Sequence, residues 1–524
     1  MNPIRFPVSR RRTAINMAAA LLCGASAYAA FAADTTRVVV EFKPGSQAAG
    51  AARAAIAKAG GLVKLEIIDA DAVAVELPRK TLATLKRNAN IISITEDAKR
   101  YPLALTSPSA APYKTGQLVP YGIKLVQADQ LPQGDMLTAN RKVCIIDSGY
   151  DRTHEDLSGN AVTGEYDWGS GWWYDDEVGH GTHVAGTIAA INQKNVGVVG
   201  VNPSKKLNLH IIKVFDADGF AYSSTLQNAA NKCKAAGANV ITMSLGGPLP
   251  LPWESRAFKK LEDAGILLIA AAGNGGNGTT SYPAGYASVM SVAAVDENKQ
   301  VAAFSQYNKD VEIAAPGVGV LSTVPVGTGR DSSLTVGTTV YAPGGMVGSP
   351  IGSVSAPLAD FGLGDAVDTA VAGKVCLIAR GTIEFSVKVL NCQNSGGVGA
   401  VVYNNVAGSF GGTLGGVITT IPSVTASDVE GAAMQQQLGQ TASIGITASD
   451  YAYFDGTSMA TPHVSAVAAQ VWSYFPSCTN KQIRDALNTT ALDLGDAGRD
   501  SHYGYGLVQA KAAHDRLKSL GCGN

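Results

Sequence analysis

The sequence has almost no excess of charge of either sign. Its 524 residues include 41 lysines and arginines against 42 aspartates and glutamates, which gives a formal net charge of −1 at pH 7. Proteins that bind nucleic acid or an anionic membrane carry a strongly basic patch or segment, because both partners are dense arrays of phosphate charge. The sequence therefore predicts neither a nucleic-acid partner nor a membrane partner.

Long apolar runs are also lacking. The most apolar stretch lies near the amino terminus, where four arginines between residues 5 and 12 precede an alanine-rich run that ends in Ala30-Phe31-Ala32. This run is shorter than the ~20 residues that a membrane-spanning helix needs, which disfavours an anchor. A basic start, a short apolar segment and small residues at its end are typical of a secretory signal peptide. We therefore interpret residues 1–33 as a signal peptide and expect a secreted protein.

Cysteine is scarce, with seven residues in the chain, one of them inside the predicted signal peptide. Six remain, and outside the cytosol an even number permits disulfides. Two pairs are expected, one closing a short loop and one pinning the C-terminal helix. The last two cysteines either pair or stay as free thiols packed in the core. The two expected pairs are, in that order, Cys376 with Cys392 and Cys478 with Cys522, and the two cysteines left open are Cys144 and Cys233.

Apolar segments alternate with helical patterns from residue 141 onward. Strands that are apolar throughout, separated by helices, are typical of a parallel sheet whose two faces are both covered. The sequence therefore predicts an α/β fold, in which polar residues at the carboxyl ends of the strands are candidate site residues. The predicted strands are Val143–Asp147, Leu207–Val214, Val240–Ser244, Ile266–Ala272 and Val289–Ala294, and the predicted helices are His180–Ile191, Ser223–Ala236 and Glu254–Ala264.

Two further regions have patterns of their own. Residues 34–105 are predicted to form a small α+β unit, and residues 330–448 a β-rich insertion. In the first region the predicted strands are Arg37–Phe42, Ala72–Leu77 and Ile91–Thr95, with helices over Ala48–Ala59 and Leu82–Asn88. In the second the predicted strands are Gly373–Gly381, Val398–Asn404 and Ile421–Val424, with a helix over Ser427–Leu438.

One serine lies where a small-residue turn runs into an apolar helix. Ser458 is at the start of that helix, beside backbone N–H groups that have no intrahelical partner and can hold a developing oxyanion. A nucleophilic serine needs a base and a carboxylate that orients the base. Asp147 ends a predicted strand and His180 begins a predicted helix. An aspartate after a strand is, taken alone, more often a turn residue, so the three residues are informative only together.

Together, the segments around these residues resemble the subtilisin-like serine proteases. The order Asp147, His180, Ser458 matches the order already known for subtilisin. The resemblance implies that Ser458 attacks a peptide carbonyl, that His180 takes and returns the proton, and that Asp147 fixes the imidazole. It therefore implies a serine endopeptidase that acts on proteins and peptides. The matching segments are Val143–Gly149, Gly179–Thr187 and Phe454–His463.

Other chemistries are disfavoured by residues that are missing. His180 and His183 have a helical spacing that suits a metal, but no carboxylate stands between them as zinc-protease motifs require, so His183 is predicted to be structural. A serine esterase is disfavoured because no Gly-x-Ser-x-Gly elbow surrounds Ser458. A catalytically silent peptide-binding protein of the same fold is the alternative, and the presence of every catalytic residue argues against it.

The resemblance extends to residues that hold the substrate. Asn274, between two glycines after a predicted strand, is implied to be the second oxyanion donor. Ser244, Leu245 and Gly246 match the segment that pairs with substrate main chain as an added strand. Ser281 falls where the family lines the pocket next to the scissile bond. We expect broad specificity with a preference for apolar side chains.

A calcium site is also implied by the resemblance. Gln117 and Asp156 match side-chain ligands of the family. The loop Asn192–Val198 would add the backbone carbonyls of Val196 and Val198, and Asn192 or Asn195 would add an amide oxygen. Surface side chains without a metal are the alternative for Gln117 and Asp156.

The remaining regions complete the implied domain organisation. Residues 34–105 resemble the inhibitory propeptide of the family, whose tail fills the active cleft until it is cut, here between Leu103 and Thr115. An ordinary N-terminal domain is the alternative. Residues 330–448 resemble a protease-associated domain, which restricts or recruits substrate, with a tolerated surface insertion as the alternative. The catalytic domain would then comprise residues 106–329 and 449–524, and we expect a monomer.

Overall fold

The computed structural model describes residues 35–103, 105–106, 116–132, 140–167, 169–193, 196–215, 219–408, 410–414 and 417–523. The predicted signal peptide lies outside these ranges. The chain divides into two compact units, Met1–Asp97 and Ala98–Asn524. Within the described ranges, no helix is long and apolar enough to cross a membrane.

The first unit is an antiparallel sheet with helices. Its elements are β1 (Thr35–Phe42), α1 (Ser46–Lys58), β2 (Leu62–Ile67), β3 (Ala72–Pro78), α2 (Leu82–Leu85) and β4 (Ile91–Glu96). The strand order is β2-β3-β1-β4. In β1 alternate side chains point to one face, so Val38, Val40 and Phe42 pack with Ala52 and Ile56 of α1. Strand β2 was not predicted, because its residues are mostly exposed at the sheet edge and show no buried face.

The second unit is built on a larger α/β body. Its strands before the insertion are β5 (Lys99–Pro102), β6 (Leu105–Thr106), β7 (Lys142–Asp147), β8 (Ala161–Gly164), β9 (Tyr166–Asp167), β10 (Gly171–Trp172), β11 (Asn208–Lys213), β12 (Ala221–Tyr222), β13 (Val240–Met243), β14 (Leu245–Gly246), β15 (Leu267–Ala271), β16 (Val289–Val295), β17 (Val311–Pro316) and β18 (Val320–Thr323). Its helices are α3 (Tyr121–Leu125), α4 (His180–Ala189), α5 (Ser223–Ala235), α6 (Pro252–Asp263), α7 (Phe385–Asn394), α8 (Asp428–Gln435), α9 (Thr457–Tyr474), α10 (Asn480–Thr489) and α11 (Ala510–Leu520).

Seven of these strands form one parallel sheet, in the order β17-β16-β15-β13-β7-β11-β8. Strand β7 shows how both faces are covered. Val143 and Ile145 join the cluster that contains α4 and α9, whereas Cys144 and Ile146 join the cluster that contains α5 and α6. All four side chains are fully buried. The predicted α/β fold with a parallel sheet is therefore confirmed.

The insertion follows β18 and contains a sheet of nine strands. These are β19 (Gly329–Val336), β20 (Thr339–Tyr341), β21 (Gly344–Val347), β22 (Gly352–Asp360), β23 (Val375–Ala379), β24 (Gly399–Tyr403), β25 (Gly412–Thr413), β26 (Ser423–Ala426) and β27 (Thr441–Ser449), followed by β28 (Tyr451–Asp455), which returns to the body. Strands β19 and β27 pair with each other along eight positions, so the two ends of the insertion lie side by side. Helix α7 was not predicted, because Val387-Lys388-Val389 imitates the alternation of a strand.

All six cysteines outside the predicted signal peptide are paired. The two expected disulfides are present: Cys376–Cys392 lies in the insertion, and Cys478–Cys522 joins the segment before α10 to the residues after α11. The open question is answered by a third bond, Cys144–Cys233, which ties β7 to α5.

Candidate active site

The end of β7 and the start of α4 bring a carboxylate and an imidazole together. Asp147 Oδ1 lies 2.6 Å from His180 Nδ1, and both side chains are buried. The same oxygen accepts the backbone N–H of Ser148 at 2.8 Å, which fixes the carboxylate. Because an ionised carboxylate only accepts, Nδ1 of His180 carries the proton and Nε2 is left with a lone pair. Nε2 has no hydrogen-bond partner in the described part of the chain, as a general base requires.

A second buried aspartate holds the helix that carries His180. Asp176 accepts the backbone N–H of Gly179 and of Thr182, each at 2.8 Å, and so satisfies donors at the start of α4. It also accepts the hydroxyl of Ser148, next to Asp147. The role of Asp176 was not predicted from the sequence. An acidic residue shortly before a helix start was the available signal.

Ser458 is the second residue of α9, directly after the turn at Gly456. Its hydroxyl donates to the carbonyl of Ser244 at 2.8 Å and accepts the N–H of Leu103 at 3.0 Å. The structure therefore brings Ser458 against Leu103, and the Ser458 hydroxyl makes no hydrogen bond with His180 Nε2, the atom that the resemblance implies takes its proton. The contact remains a prediction for the enzyme without this segment.

The carbonyl oxygen of Leu103 lies between two donors. It accepts the backbone N–H of Ser458 at 3.2 Å and the side-chain amide of Asn274 at 2.8 Å. The amide oxygen of Asn274 in turn accepts the N–H and the hydroxyl of Thr457, which fixes which way the amide points. This is the arrangement that an oxyanion hole needs, since both donors are aimed at one carbonyl oxygen in a water-poor site.

Strand β5 lies between two short strands of the body as an added strand. Tyr101 pairs with Gly246 and Pro102 with Leu245 on one side, and on the other β5 pairs with β12. The N–H of Leu103 also donates to the carbonyl of Ser244 at 3.3 Å. The predicted Ser244, Leu245 and Gly246 thus contact the main chain of this segment. Strand β12 was not predicted, because a two-residue strand is too short to show alternation.

The chain continues on the other side of Leu103. Strand β6 pairs antiparallel with β28, with Leu105 opposite Asp455 and Thr106 opposite Phe454. Residues 99–103 and 105–106 therefore cross the site in the extended conformation of a bound peptide substrate.

Ser281 lies beside Gly246 and is buried. A Cβ atom added at Gly246 would be 2.2 Å from the Ser281 hydroxyl oxygen and 3.1 Å from Cδ1 of Leu103. Position 246 therefore requires glycine, because the Leu103 side chain and Ser281 both approach it closely. The serine and the Leu103 side chain flank the same point, so Ser281 remains the predicted pocket residue.

His183 is used by the fold and not by the chemistry. Its Nε2 lies 3.0 Å from the carbonyl oxygen of Val320, and its ring stacks on Phe454 at 4.3 Å between centroids. Complete burial, with a contribution from the nearby His180, lowers the pKa of His183 to about 3. The ring is therefore neutral at physiological pH.

The predicted calcium ligands partly converge. The side-chain amide of Gln117 lies 3.0 Å from the carbonyl oxygen of Ile191 and 3.4 Å from that of Val198. The buried Asp156 carboxylate accepts the N–H of Val198 at 2.7 Å. Val196 is exposed in the same loop. Within the described ranges no group of three or more His, Cys, Asp or Glu side chains could hold a metal, so a site here would need amide and backbone oxygens in addition to the Asp156 carboxylate.

Comparisons with known proteins decide the family. A model described as the subtilase family matches residues 138–359 and 391–506, and a model described as the PA domain matches residues 337–434. This chain belongs to the subtilase family. The predicted resemblance, including the inserted PA domain, is confirmed, and the protein is a serine endopeptidase.

Several similar subtilases cover most of the chain. Subtilisin E of Bacillus subtilis (strain 168) is 29% identical over 93% of this chain and 93% of its own length. M-protease of Shouchella clausii (strain KSM-K16) is 30% identical over 84% of this chain and 78% of its own length. Among solved structures, the psychrophilic subtilisin-like protease Apa1 from the Antarctic psychrotroph Pseudoalteromonas sp. AS-11 is 43% identical, with a TM-score of 0.61, over 78% of this chain and 100% of that one.

Replacing Asn274 with alanine tests the predicted role of Asn274 as an oxyanion donor. We expect kcat to fall about 10²–10³-fold with little change in KM, a loss that is known for the equivalent donor of subtilisin itself. The physical reason is that the donor acts on charge that develops only in the transition state. Asn298→Ala, in an exposed turn, is the control and keeps the wild-type kcat. A kcat for Asn274→Ala within a few-fold of wild type would contradict the assignment.

Proposed function

We propose that the chain is the precursor of a secreted serine endopeptidase in which Asp147, His180 and Ser458 hydrolyse peptide bonds. One observation carries the proposal. The Leu103 carbonyl accepts hydrogen bonds from Ser458 N and Asn274 Nδ2 while the Ser458 hydroxyl contacts the same residue. A peptide carbonyl and a serine hydroxyl are thus held together, with a buried, oriented histidine contributed by a neighbouring element.

The chemistry follows from the charges of these groups. Ser458 Oγ attacks the carbonyl carbon, and its proton passes to Nε2 of His180. Asp147 stabilises the imidazolium that forms, and the two oxyanion donors stabilise the tetrahedral oxygen. His180 then gives the proton to the leaving amine, which leaves an acyl-enzyme. Water then attacks the acyl-enzyme with the help of the same groups and releases the carboxylic acid.

The same geometry supports an inhibitory tail and a maturation site. Subtilases are inhibited by their propeptides and act on protein substrates. Residues 34–105 fit that role here because strand β5 and Leu103 occupy the cleft as a substrate would. The bond presented to Ser458 is the one between Leu103 and Ala104, and Leu103 at this position agrees with a preference for apolar side chains.

Secretion is supported by two separate features. The basic and apolar segment within residues 1–33 has the layout of a signal peptide. The three disulfides persist in oxidising compartments and are rare in the cytosol.

Full-length Ser458→Ala protein tests maturation and catalysis together. We expect it to remain uncut and unlabelled by a fluorophosphonate probe, because the nucleophile is missing. The wild-type chain is expected to acquire a new amino terminus at Ala104, seen by mass spectrometry, and then to label. Ser465→Ala is the control, since Ser465 is buried on the same helix and its hydroxyl has no hydrogen-bond partner among the described residues. Maturation of Ser458→Ala without added protease would refute the proposal, and a folded wild-type protein that never labels would favour the silent peptide-binding alternative.

We also propose a structural calcium ion near Gln117 and Asp156. Subtilisins generally bind calcium. The Asp156 carboxylate, the Gln117 amide oxygen and the carbonyls of Ile191 and Val198 are hard oxygen donors of the kind that calcium takes, and Val196 is the predicted additional ligand. Gln117 Nε2 donates to both carbonyls in this structure, so a bound ion requires the amide to turn and present Oε1. The ion would tie the loop after α4 to residues that precede the sheet.

The calcium site is tested by the effect of a chelator on the free energy of unfolding, with no activity measurement needed. In the Ser458→Ala background, calcium at about 100 times its dissociation constant is expected to raise the free energy of unfolding by about 3 kcal/mol, and chelator removes this gain. Asp156→Asn is expected to abolish the response, whereas Asp365→Asn, exposed in the insertion, keeps it. A melting temperature that is the same with calcium and with chelator would remove the claim.

We propose that the insertion limits which residues a substrate can have after the cleaved bond. A cavity of about 550 Å³ is lined on one side by β18 and β28 and on the other by residues of the insertion, including Val347. Strand β28 is also the partner of β6, which carries the chain beyond Leu103. This cavity therefore adjoins the part of a substrate that follows the cut.

A narrowed cavity tests the role of the insertion. Val347→Trp is expected to lower kcat/KM about 10-fold for peptides with bulky residues after the cut, because one poorly accommodated contact has an effect of that order. Substrates that end in p-nitroanilide at the cut keep their kcat/KM. Val340→Trp, 78% exposed elsewhere in the insertion, is the control. Equal effects of Val347→Trp on both substrate types would support a tolerated insertion instead.

A further inference from the structure

One charged side chain of the tail is completely buried. Arg100 is the fourth residue before the proposed scissile bond, and its side chain has 0% exposure. Its Nη2 donates to Oε2 of Glu254 at 2.6 Å and to the carbonyl of Leu249 at 3.1 Å. The Glu254 side chain is equally buried. A buried charge is tolerated only when it is paired, so the burial of Arg100 depends on Glu254.

Glu254, which accepts this hydrogen bond, belongs to the catalytic body, and contacts within that body hold its carboxylate. Glu254 lies in the first turn of α6, where the helix dipole favours an anion. The hydroxyl of Tyr286 donates to Oε2 of Glu254 at 2.7 Å and accepts the N–H of Leu251 at 2.9 Å. Burial, and next the charge of Glu254, raise the pKa of the Tyr286 hydroxyl, which therefore stays protonated as a donor. The carboxylate thus keeps its position when the tail leaves.

The body also leaves room for a guanidinium. A Cβ atom added at Gly247 would lie 2.7 Å from the carbonyl oxygen of Lys99 and 3.2 Å from Nη1 of Arg100. Arg100 makes both hydrogen bonds through Nη2, so the carboxylate and the carbonyl are reached from the end of a long side chain that is always charged. Lys99 places its ammonium 3.7 Å from the ring centroid of Phe220, but it is exposed, and exposed contacts of this kind are weak.

We propose that Glu254 makes the mature protease selective for arginine four positions before the cleaved bond, in addition to an apolar residue directly before it. This inference rests on the proposed function and names its substrate class. A neutral side chain in this position would leave the buried carboxylate without its cation, whereas arginine restores the pairing present in the precursor. Selectivity then arises from a charge and not from main-chain pairing, which accepts many sequences.

Matched peptides test the proposal on the matured enzyme. The substrates are acetyl-Lys-Xaa-Tyr-Pro-Leu p-nitroanilides in which Xaa is arginine, citrulline or methionine. Citrulline keeps the shape of arginine and loses the charge. We expect kcat/KM to be about 10²-fold higher for arginine than for citrulline, the order of loss when a buried pair loses one partner. A ratio below three in the wild-type enzyme would overturn the proposal.

Two variants locate the charge that is responsible. Glu254→Gln is expected to reduce the arginine-to-citrulline ratio to within a few-fold of one. Asp263→Asn, exposed at the end of the same helix, is expected to keep the wild-type ratio. If Glu254→Gln keeps the full ratio, the proposal fails. If Glu254→Gln does not fold, the wild-type ratio still decides.

The outcomes separate this inference from the proposed function. Cleavage of all three peptides at equal kcat/KM overturns the selectivity alone and leaves a role for the ion pair in holding the tail. A wild-type protein that cleaves none of them and does not label at Ser458 overturns both.

Discussion

The carbonyl oxygen of Leu103 is held by donors that come from two distant parts of the chain, and the rest of the site depends on that convergence. The Ser458 amide begins α9, and Asn274 follows β15. Ser244, which accepts the N–H of Leu103, follows β13 in the same sheet. Because the carboxyl ends of parallel strands meet at one edge, residues far apart in sequence reach one peptide unit. The fully buried strands make this edge rigid enough to hold hydrogen-bond distances.

Segments with a strong local signal or a recognisable motif could be predicted from the sequence, whereas individual side-chain contacts outside those motifs could not. Strand β7 was predicted within one residue, because four consecutive buried apolar side chains leave a continuous signal, and Asp147 was placed correctly at its end. Asp176 was missed, since its partners are backbone groups fixed by the loop before α4. The pair Arg100–Glu254 was also missed, because its members are 154 positions apart and each looks like an ordinary surface charge in the sequence.

An inhibitory tail that uses substrate contacts must be held more firmly than a substrate. Covalent attachment supplies part of this, because an attached segment has a high effective concentration at the cleft. The buried contact of Arg100 with Glu254 supplies specificity more than stability, since desolvation of both charges offsets much of their attraction. In the proposed maturation, cutting the bond after Leu103 removes the first advantage, and the second remains available to any chain with the same arginine.

The insertion does not interrupt the catalytic body, because the strands at its two ends pair with each other. Strands β18 and β28 pair from Val320 with Phe454 to Thr323 with Tyr451, and β19 and β27 continue the pairing outward. The catalytic body is therefore closed beneath the insertion, and the entropic cost of a longer loop grows only slowly with its length. The same closure places the insertion above β28, where the chain leaves the cleft. In the proposed function, main-chain pairing and Glu254 therefore act on the residues before the cut, and the inserted domain acts on those after it.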